Sequence, residues 1–159
     1  MKAIGREELD QLSREASDNP RLRKNLNLHP SDQSACHRLF NAIEPGSYIR
    51  PHRHLADEKD ETFLLVRGAL GIVSFDEQGQ VTGTSLMKGG EVVAVDIPRG
   101  QYHGAVSLEK GTIFFEAKAG PYLPLSEKEK APFAPEEGSP EAAEYLKRLE
   151  ELFTTPSSP

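Results

Sequence analysis

A chain of 159 residues with a formal charge of −6 can hold one well-cored domain and is too short for two comfortable ones. The acidic balance speaks against a general nucleic-acid binder, the lone Cys36 excludes an intramolecular disulfide, and no apolar run reaches membrane-spanning length. The 13 Gly and 12 Pro point to many short strands joined by turns rather than to a helical bundle.

The N-terminal MKAIGREELDQL carries no apolar stretch of the secretory type, so a cytoplasmic protein is expected. Residues 6–16 place Leu9, Leu12 and Ala16 at helical spacing, and Ser17-Asp18-Asn19-Pro20 ends that helix. The stretch 25–30 then reads as irregular or extended, with Leu26 and Leu28 alternating against polar neighbours. Strands are predicted at 37–43, 47–54, 61–67, 70–75, 81–87, 92–97, 102–108 and 112–118. Between them lie turn signals such as Pro45-Gly46, Arg67-Gly68, Asp76-Glu77-Gln78-Gly79 and Arg99-Gly100. Eight short strands at this spacing predict a closed or nearly closed barrel or jelly roll.

A Pro-rich segment from Ala119 to Pro140 is expected to wrap the barrel without regular structure. A helix follows, with Ser139 as cap, Pro140 at its first position and an apolar stripe of Leu146, Leu149, Leu152 and Phe153. That stripe must pack on the barrel or on a second subunit. The organisation is therefore an N-terminal helix and extended arm (1–35), a barrel (36–120), a wrap with a C-terminal helix (121–153), and a disordered tail (154–159).

Charge is spread unevenly along this plan. From Ser126 onward eight acidic residues face four basic ones, whereas between Asn19 and Arg38 the residues Arg21, Arg23, Lys24 and Arg38 oppose only Asp32. The basic stretch reads either as a solvated turn or as a local site for a phosphate or carboxylate.

The chemistry concentrates in two blocks. In the first, Gly46-Ser-Tyr-Ile-Arg-Pro-His52-Arg-His54, alternation along a strand points both imidazoles to one face, about 7 Å apart. Glu61 opens the next predicted strand, where an antiparallel return brings it beside the pair. In the second, Pro98-Arg-Gly100-Gln-Tyr-His103 sets another imidazole after a tight turn. His52, His54, Glu61 and His103 thus make a candidate ligand set for one divalent metal ion. Fe(II), Mn(II), Ni(II), Zn(II) and Cu(II) all accept such donors.

These blocks resemble the two motifs of the cupin superfamily. Five residues separate Gly46 from His52, six separate Glu61 from Gly68, and Pro98, Gly100 and His103 match the core of the second motif. Three departures stand out. Six residues separate His54 from Glu61 where the family has three or four, seven separate Gly90 from Pro98 instead of five, and Ser107 replaces the usual Asn. More narrowly, NLNLH at 25–29, RLFNAIEPGSYIRPHRH at 38–54, FEAKAGPYLPL at 115–125 and APFAPEEG at 131–138 resemble the WbuC-type cupins. The resemblance implies an all-β cupin double-stranded β-helix with short N- and C-terminal helices, one bound divalent metal, and a role in bacterial surface-polysaccharide biosynthesis.

Strand alternation also nominates neighbours of the metal. Tyr48 and Arg50 share the parity of His52 and His54, so they are expected to point into the barrel, as an anion holder (Arg50) and a proton donor (Tyr48) or as structural groups at its mouth. Glu116 and Lys118 either face solvent or line the cavity as an acid/base pair, and Asn25, Asn27 and His29 are candidates to cover its mouth. The expected ligand is a sugar derivative or small carboxylate. Metal-assisted isomerisation or epimerisation, iron-dependent oxygenation and non-catalytic binding stay open. A homodimer is expected, because open sheet edges and the C-terminal apolar stripe need covering.

Overall fold

The computed structural model describes residues 1–154, so the tail predicted over 154–159 falls, apart from Thr154, outside the described residues. In chain order the elements are α1 (Arg6–Ser17), β1 (Arg23–Asn27), β2 (Cys36–Ile43), β3 (Glu61–Arg67), β4 (Leu70–Phe75), β5 (Val81–Met87), β6 (Ala94–Ile97), β7 (Tyr102–Ser107), β8 (Thr112–Ala119) and α2 (Ala142–Glu151). Two antiparallel sheets face one another, one ordered β1-β2-β8-β3-β6 and the other β5-β4-β7. This is a jelly roll, the fold class expected from the sequence.

Three apolar clusters hold the layers together. Ile43, Phe63, Leu70, Ile72, Met87, Ile97, Ala105 and Phe114 fill the space between the sheets. Leu12 and Ala16 of α1 pack on Ala42 and Ile113, on the outer face of the larger sheet. Leu146 and Leu149 of α2 pack with Val73, Phe75, Tyr102 and Val106, on the outer face of the smaller one. Each buried aliphatic side chain contributes about 1.5–3 kcal/mol relative to exposure. The C-terminal stripe is therefore covered by its own barrel, which removes one of the two arguments for a subunit partner. Leu152 stays 40% exposed beyond the helix.

The strand count matches expectation, but the membership differs. Residues 47–54 do not form a strand; of these, only His52 makes bridges, one to His103 and one to Lys130. Pro51 has no amide to give a ladder, and the segment bonds instead to the Pro-rich wrap, through Ala131 N to Pro51 O at 2.9 Å and Arg53 N to Glu129 O at 2.8 Å. In its place the arm supplies β1, paired along its whole length with β2. Ser139 does not cap α2 with its side chain. The helix begins at Ala142, and the Ser139 Oγ is buried with no hydrogen-bond partner.

Two glycines of the sequence motifs have a clear backbone reason. Gly68 adopts φ +83°, and a Cβ there would run into the Thr112 backbone; Gly100 adopts φ +83° in the turn before β7. No helix among the described residues is long and apolar enough to cross a membrane.

Candidate metal centre

His52 and His103 face each other across an antiparallel bridge, exchanging backbone hydrogen bonds of 3.0 and 2.9 Å. The turn before β7 is tied to the first block as well. Gly100 N donates to His54 O at 2.9 Å, and Arg99 donates its backbone N to Asp60 Oδ1 at 2.7 Å and its Nε to Leu55 O at 2.8 Å. These bonds show how the long His54–Glu61 connection is accommodated. The extra residues form a loop clamped to the Pro98–Gly100 turn, with Glu58 taking a positive φ of 57°. Glu61 then starts β3, opposite Lys118 of β8 and Ile97 of β6.

The four expected ligand residues come together. One donor atom from each of His52, His54, Glu61 and His103 lies within 4.8 Å of all the others. Glu61 Oε2 lies 3.0 Å from His103 Nε2 and 3.4 Å from His54 Nε2. The outer nitrogens of two rings are already engaged: His52 Nδ1 with Arg50 O at 3.1 Å and His103 Nδ1 with Gln101 O at 3.0 Å. With Nδ1–H donating to Arg50 O, the His52 Nε2 carries its lone pair toward the cluster, while His103 Nε2 meets the Glu61 carboxylate at 3.0 Å. Burial, followed by the neighbouring His103, pushes His52 down to about 3, so its imidazole is neutral at physiological pH, as a ligand must be.

One atom tests whether a metal suits these residues. His54 Nε2 is fully buried and makes no hydrogen bond, a costly arrangement for an imidazole nitrogen. A cation at the centre of the cluster would satisfy it together with the other three donors. The residues fit a divalent ion.

The cluster opens onto a cavity of about 540 Å³ between the sheets, with His52, Glu61, Phe63, His103, Glu116 and Lys118 among its lining. Glu116 and Lys118 therefore face inward with Phe114, while Phe115 turns to the α1 side against Phe40. Lys118 Nζ bridges Glu61 Oε1 at 2.8 Å and Glu116 Oε1 at 2.6 Å, and Asn41 Nδ2 donates to Glu116 Oε2 at 2.8 Å. Burial, then the Glu61 carboxylate, raises Glu116 to about 7 despite its lysine partner. Burial opposes the Lys118 charge, but the two carboxylates outweigh it and hold the ammonium above its ordinary range. Glu61 moves the other way: burial works against its charge, yet the His103 and His54 imidazoles beside it and the Lys118 ammonium keep it well below the usual carboxylate range.

Tyr48 and Arg50 are not part of this chamber, contrary to the alternation argument. Tyr48 is buried in the cluster under α2, its phenol donating to Pro135 O at 2.8 Å. Arg50 donates Nε and Nη2 to Ala131 O at 3.2 and 2.9 Å. With no regular strand before Pro51, the parity is broken, and Ile49 lines the cavity instead. Of the mouth candidates, Asn25 lines the cavity, whereas His29 is buried, stacked on His37 and bonded through Nδ1 to the Arg38 backbone. Asn27 is not among the lining residues. Asn41 and Tyr122 also line it, and sequence reasoning does not single them out. Asn41 has a readable signal, since it pairs with Phe114 in the β2–β8 register, but only once that pairing is known.

The profile of the family described as "Domain of unknown function (DUF6016)" matches residues 4–87. No curated protein matches the chain in sequence. Among solved structures, TT1209 from Thermus thermophilus is 18% identical with a TM-score of 0.54, over 75% of this chain and 97% of that one. The capsular polysaccharide assembling protein CapF from Staphylococcus aureus is 20% identical with a TM-score of 0.52, over 63% of this chain and 27% of that one. KdgF from Halomonas sp. is 18% identical with a TM-score of 0.50, over 66% and 84%. At these identities the likeness is one of fold.

Proposed function

The chain belongs to the DUF6016 family, and from that premise we propose that it is a mononuclear metal-dependent cupin acting on a sugar or small anionic metabolite, with isomerase- or epimerase-like chemistry. The observation that carries this reading is the buried, unpartnered His54 Nε2, set among three other donors at the wall of a chamber of small-molecule size. When bound, a divalent ion there supplies a Lewis acid for a substrate oxygen.

The chain's own residues supply the rest. Glu61 orients His103 and Lys118 at once. Glu116, held by Asn41 and Lys118 within the same cavity, is placed to accept or return a proton, and Lys118 Nζ is placed to donate a hydrogen bond to a developing negative charge. Phe63 and Phe114 give this end of the chamber an apolar wall, which strengthens those charged contacts. A purely recognitive pocket has no need of a buried carboxylate–ammonium pair beside the metal residues, which is why catalysis is the preferred reading.

A place in surface-polysaccharide biosynthesis belongs to the same proposal. It is supported by the WbuC-type resemblance of residues 25–29, 38–54, 115–125 and 131–138, and accords with the likeness in fold to CapF, a capsular polysaccharide assembling protein. The test begins with elemental analysis of untagged protein purified without chelators, for wild type and a His52→Ala/His54→Ala variant. Near one equivalent of metal in the wild type, lost in the variant, supports the reading. A folded wild type that takes up no metal even after reloading with Zn, Fe, Mn or Ni overturns it.

A further inference from the structure

The chamber between the sheets is not the only space that reaches the metal residues. A second, smaller cavity of about 160 Å³ lies under the start of the wrap. His52, Lys118 and Tyr122 line both. His54 lines the smaller cavity and not the chamber, whereas Glu61 and His103 line the chamber and not the smaller cavity. The four residues thus form a partition with open space on either side.

Lys59 sets the smaller cavity apart. It belongs to the long connection between His54 and Glu61, and its side chain is folded inward, only 8% exposed. Its Nζ donates to Pro121 O at 2.9 Å, in the wall of the same cavity. That is its one bond among the described residues, although an ammonium has three N–H groups to place. No carboxylate balances its charge. The neighbouring loop acids turn to Arg99 instead: Asp57 pairs with its guanidinium at 2.9 Å, and Asp60 Oδ1 accepts its backbone N at 2.7 Å. No acidic residue lines the cavity. Lys118, the other cation in its wall, is already balanced by Glu61 and Glu116, so the uncompensated charge is that of Lys59 alone. A buried ammonium with one acceptor is costly, and this one stands at open volume.

The rest of the lining narrows what that volume accepts. Ala119, Pro121, Leu123 and Leu125 supply an apolar wall, and Leu123 is left 61% exposed. His37 is engaged elsewhere, its Nε2 bonded to Asp32 O at 3.2 Å. At about 30 Å³ for each water-sized group, the space holds about five non-hydrogen atoms. A sugar does not fit. One unbalanced cation, an apolar wall and this volume suit a small organic carboxylate.

We propose that the cavity under the wrap binds a carboxylate of the size of acetate or pyruvate, with its oxygens on Lys59 Nζ and its carbon chain against Leu123 and Leu125. The site is separate from the chamber, and it does not depend on the metal reading. Because it adjoins His52 and His54, a carboxylate there and a cation on those residues favour each other, and by linkage each raises the other's affinity.

Calorimetric titration with acetate, pyruvate and the neutral acetamide tests it, at constant ionic strength in a carboxylate-free buffer. The protein is taken as purified and after chelator treatment, with metal content measured on each sample. Acetate is expected to bind at least about tenfold more tightly than acetamide, as charge-assisted hydrogen bonds would give. Lys59→Met keeps the length and apolar body of the side chain and should lose that margin. Ala119→Leu leaves Lys59 and its bond to Pro121 in place and should lose binding by filling the space. It decides the matter alone if Lys59→Met does not fold. Acetate no tighter than acetamide, or an undiminished margin in either folded variant, would overturn the proposal. Binding seen only with metal present and indifferent to Lys59→Met puts the carboxylate on the metal, which overturns this site and leaves the metal reading standing. Lys59-dependent binding in a protein that takes up no metal does the reverse.

Discussion

The segment from Ser47 to His54 has two sides, and they are built on opposite principles. On the side facing the wrap and α2, the polar side chains find backbone partners: Tyr48 donates to Pro135 O and Arg50 to Ala131 O, beside a buried apolar cluster. On the side facing the sheets, polar groups are satisfied by one another. Glu61 serves His103 and Lys118, Lys118 serves two carboxylates, and His54 Nε2 is left without a hydrogen bond. Side chains of similar chemistry a few residues apart thus divide into structure and function. What divides them is unmet bonding capacity beside open volume, a better sign of a working site than the presence of Tyr, Arg or His alone.

The sharpest way to break that comparison is to remove donors from each side. His52→Ala/His54→Ala should lower metal affinity by more than about 100-fold, since loss of groups that only support a ligand already costs 10- to 100-fold, while leaving far-ultraviolet circular dichroism unchanged. Tyr48→Ala should do the opposite, costing about 3–5 kcal/mol of stability through the cavity left under α2, with metal stoichiometry retained in the folded fraction. Chemical denaturation and elemental analysis of both variants check the pair. A Tyr48 variant that folds normally but loses metal would show that the two sides are not independent.

Much of this division is legible in the sequence, and the failure is local. The spacing of His52, His54, Glu61 and His103 identifies the cluster across a chain separation of some fifty residues, because a jelly roll brings those positions together and two glycine turns fix their approach. Alternation places Glu116 and Lys118 on one face with Phe114, and that face is the inner one. It fails at Tyr48 and Arg50 because a period of two holds only within a regular strand, and Pro51 prevents one. Strand β1 escapes such a reading because RKNLN carries a single apolar residue. Its stability comes from pairing with β2 and from α1 against Leu26, a tertiary effect that propensity does not record.

A smaller effect sharpens the functional side. Lys118→Met leaves Glu61 and Glu116 facing each other without their shared cation, and breaking a buried ion pair from one end costs about 3–5 kcal/mol. Because a divalent ion would restore positive charge beside Glu61, the loss should be smaller in the metal-loaded variant than in the metal-free one. Thermal unfolding with and without added metal reads this directly. Equal destabilisation in both states would mean that Lys118 braces the sheet and not the charge balance of the site.

The smallest expected effect concerns the clasp that joins the wrap to the basic stretch. Hydrogen bonds from Arg21, opposed by partial burial and reinforced by Arg23, bring Glu137 down to about 2. Since the folded-state value lies below the ordinary glutamate value of 4.5, the folded protein binds this proton less readily than the unfolded chain. Its contribution to stability is thus complete above pH 4.5 and is lost as the pH falls toward 2. Glu137→Gln removes that dependence, so the acid limb of its stability curve should be shallower than the wild type's, with the two curves converging at the lowest pH. The Glu137 side chain is about a third exposed, so solvent screening keeps the difference modest, and raised salt should shrink it further. An unchanged acid limb would place the hold on the wrap in its bonds to the Ser47–His54 segment, such as Tyr48–Pro135, Arg50–Ala131 and Ala131–Pro51, and not in the Glu137 clasp.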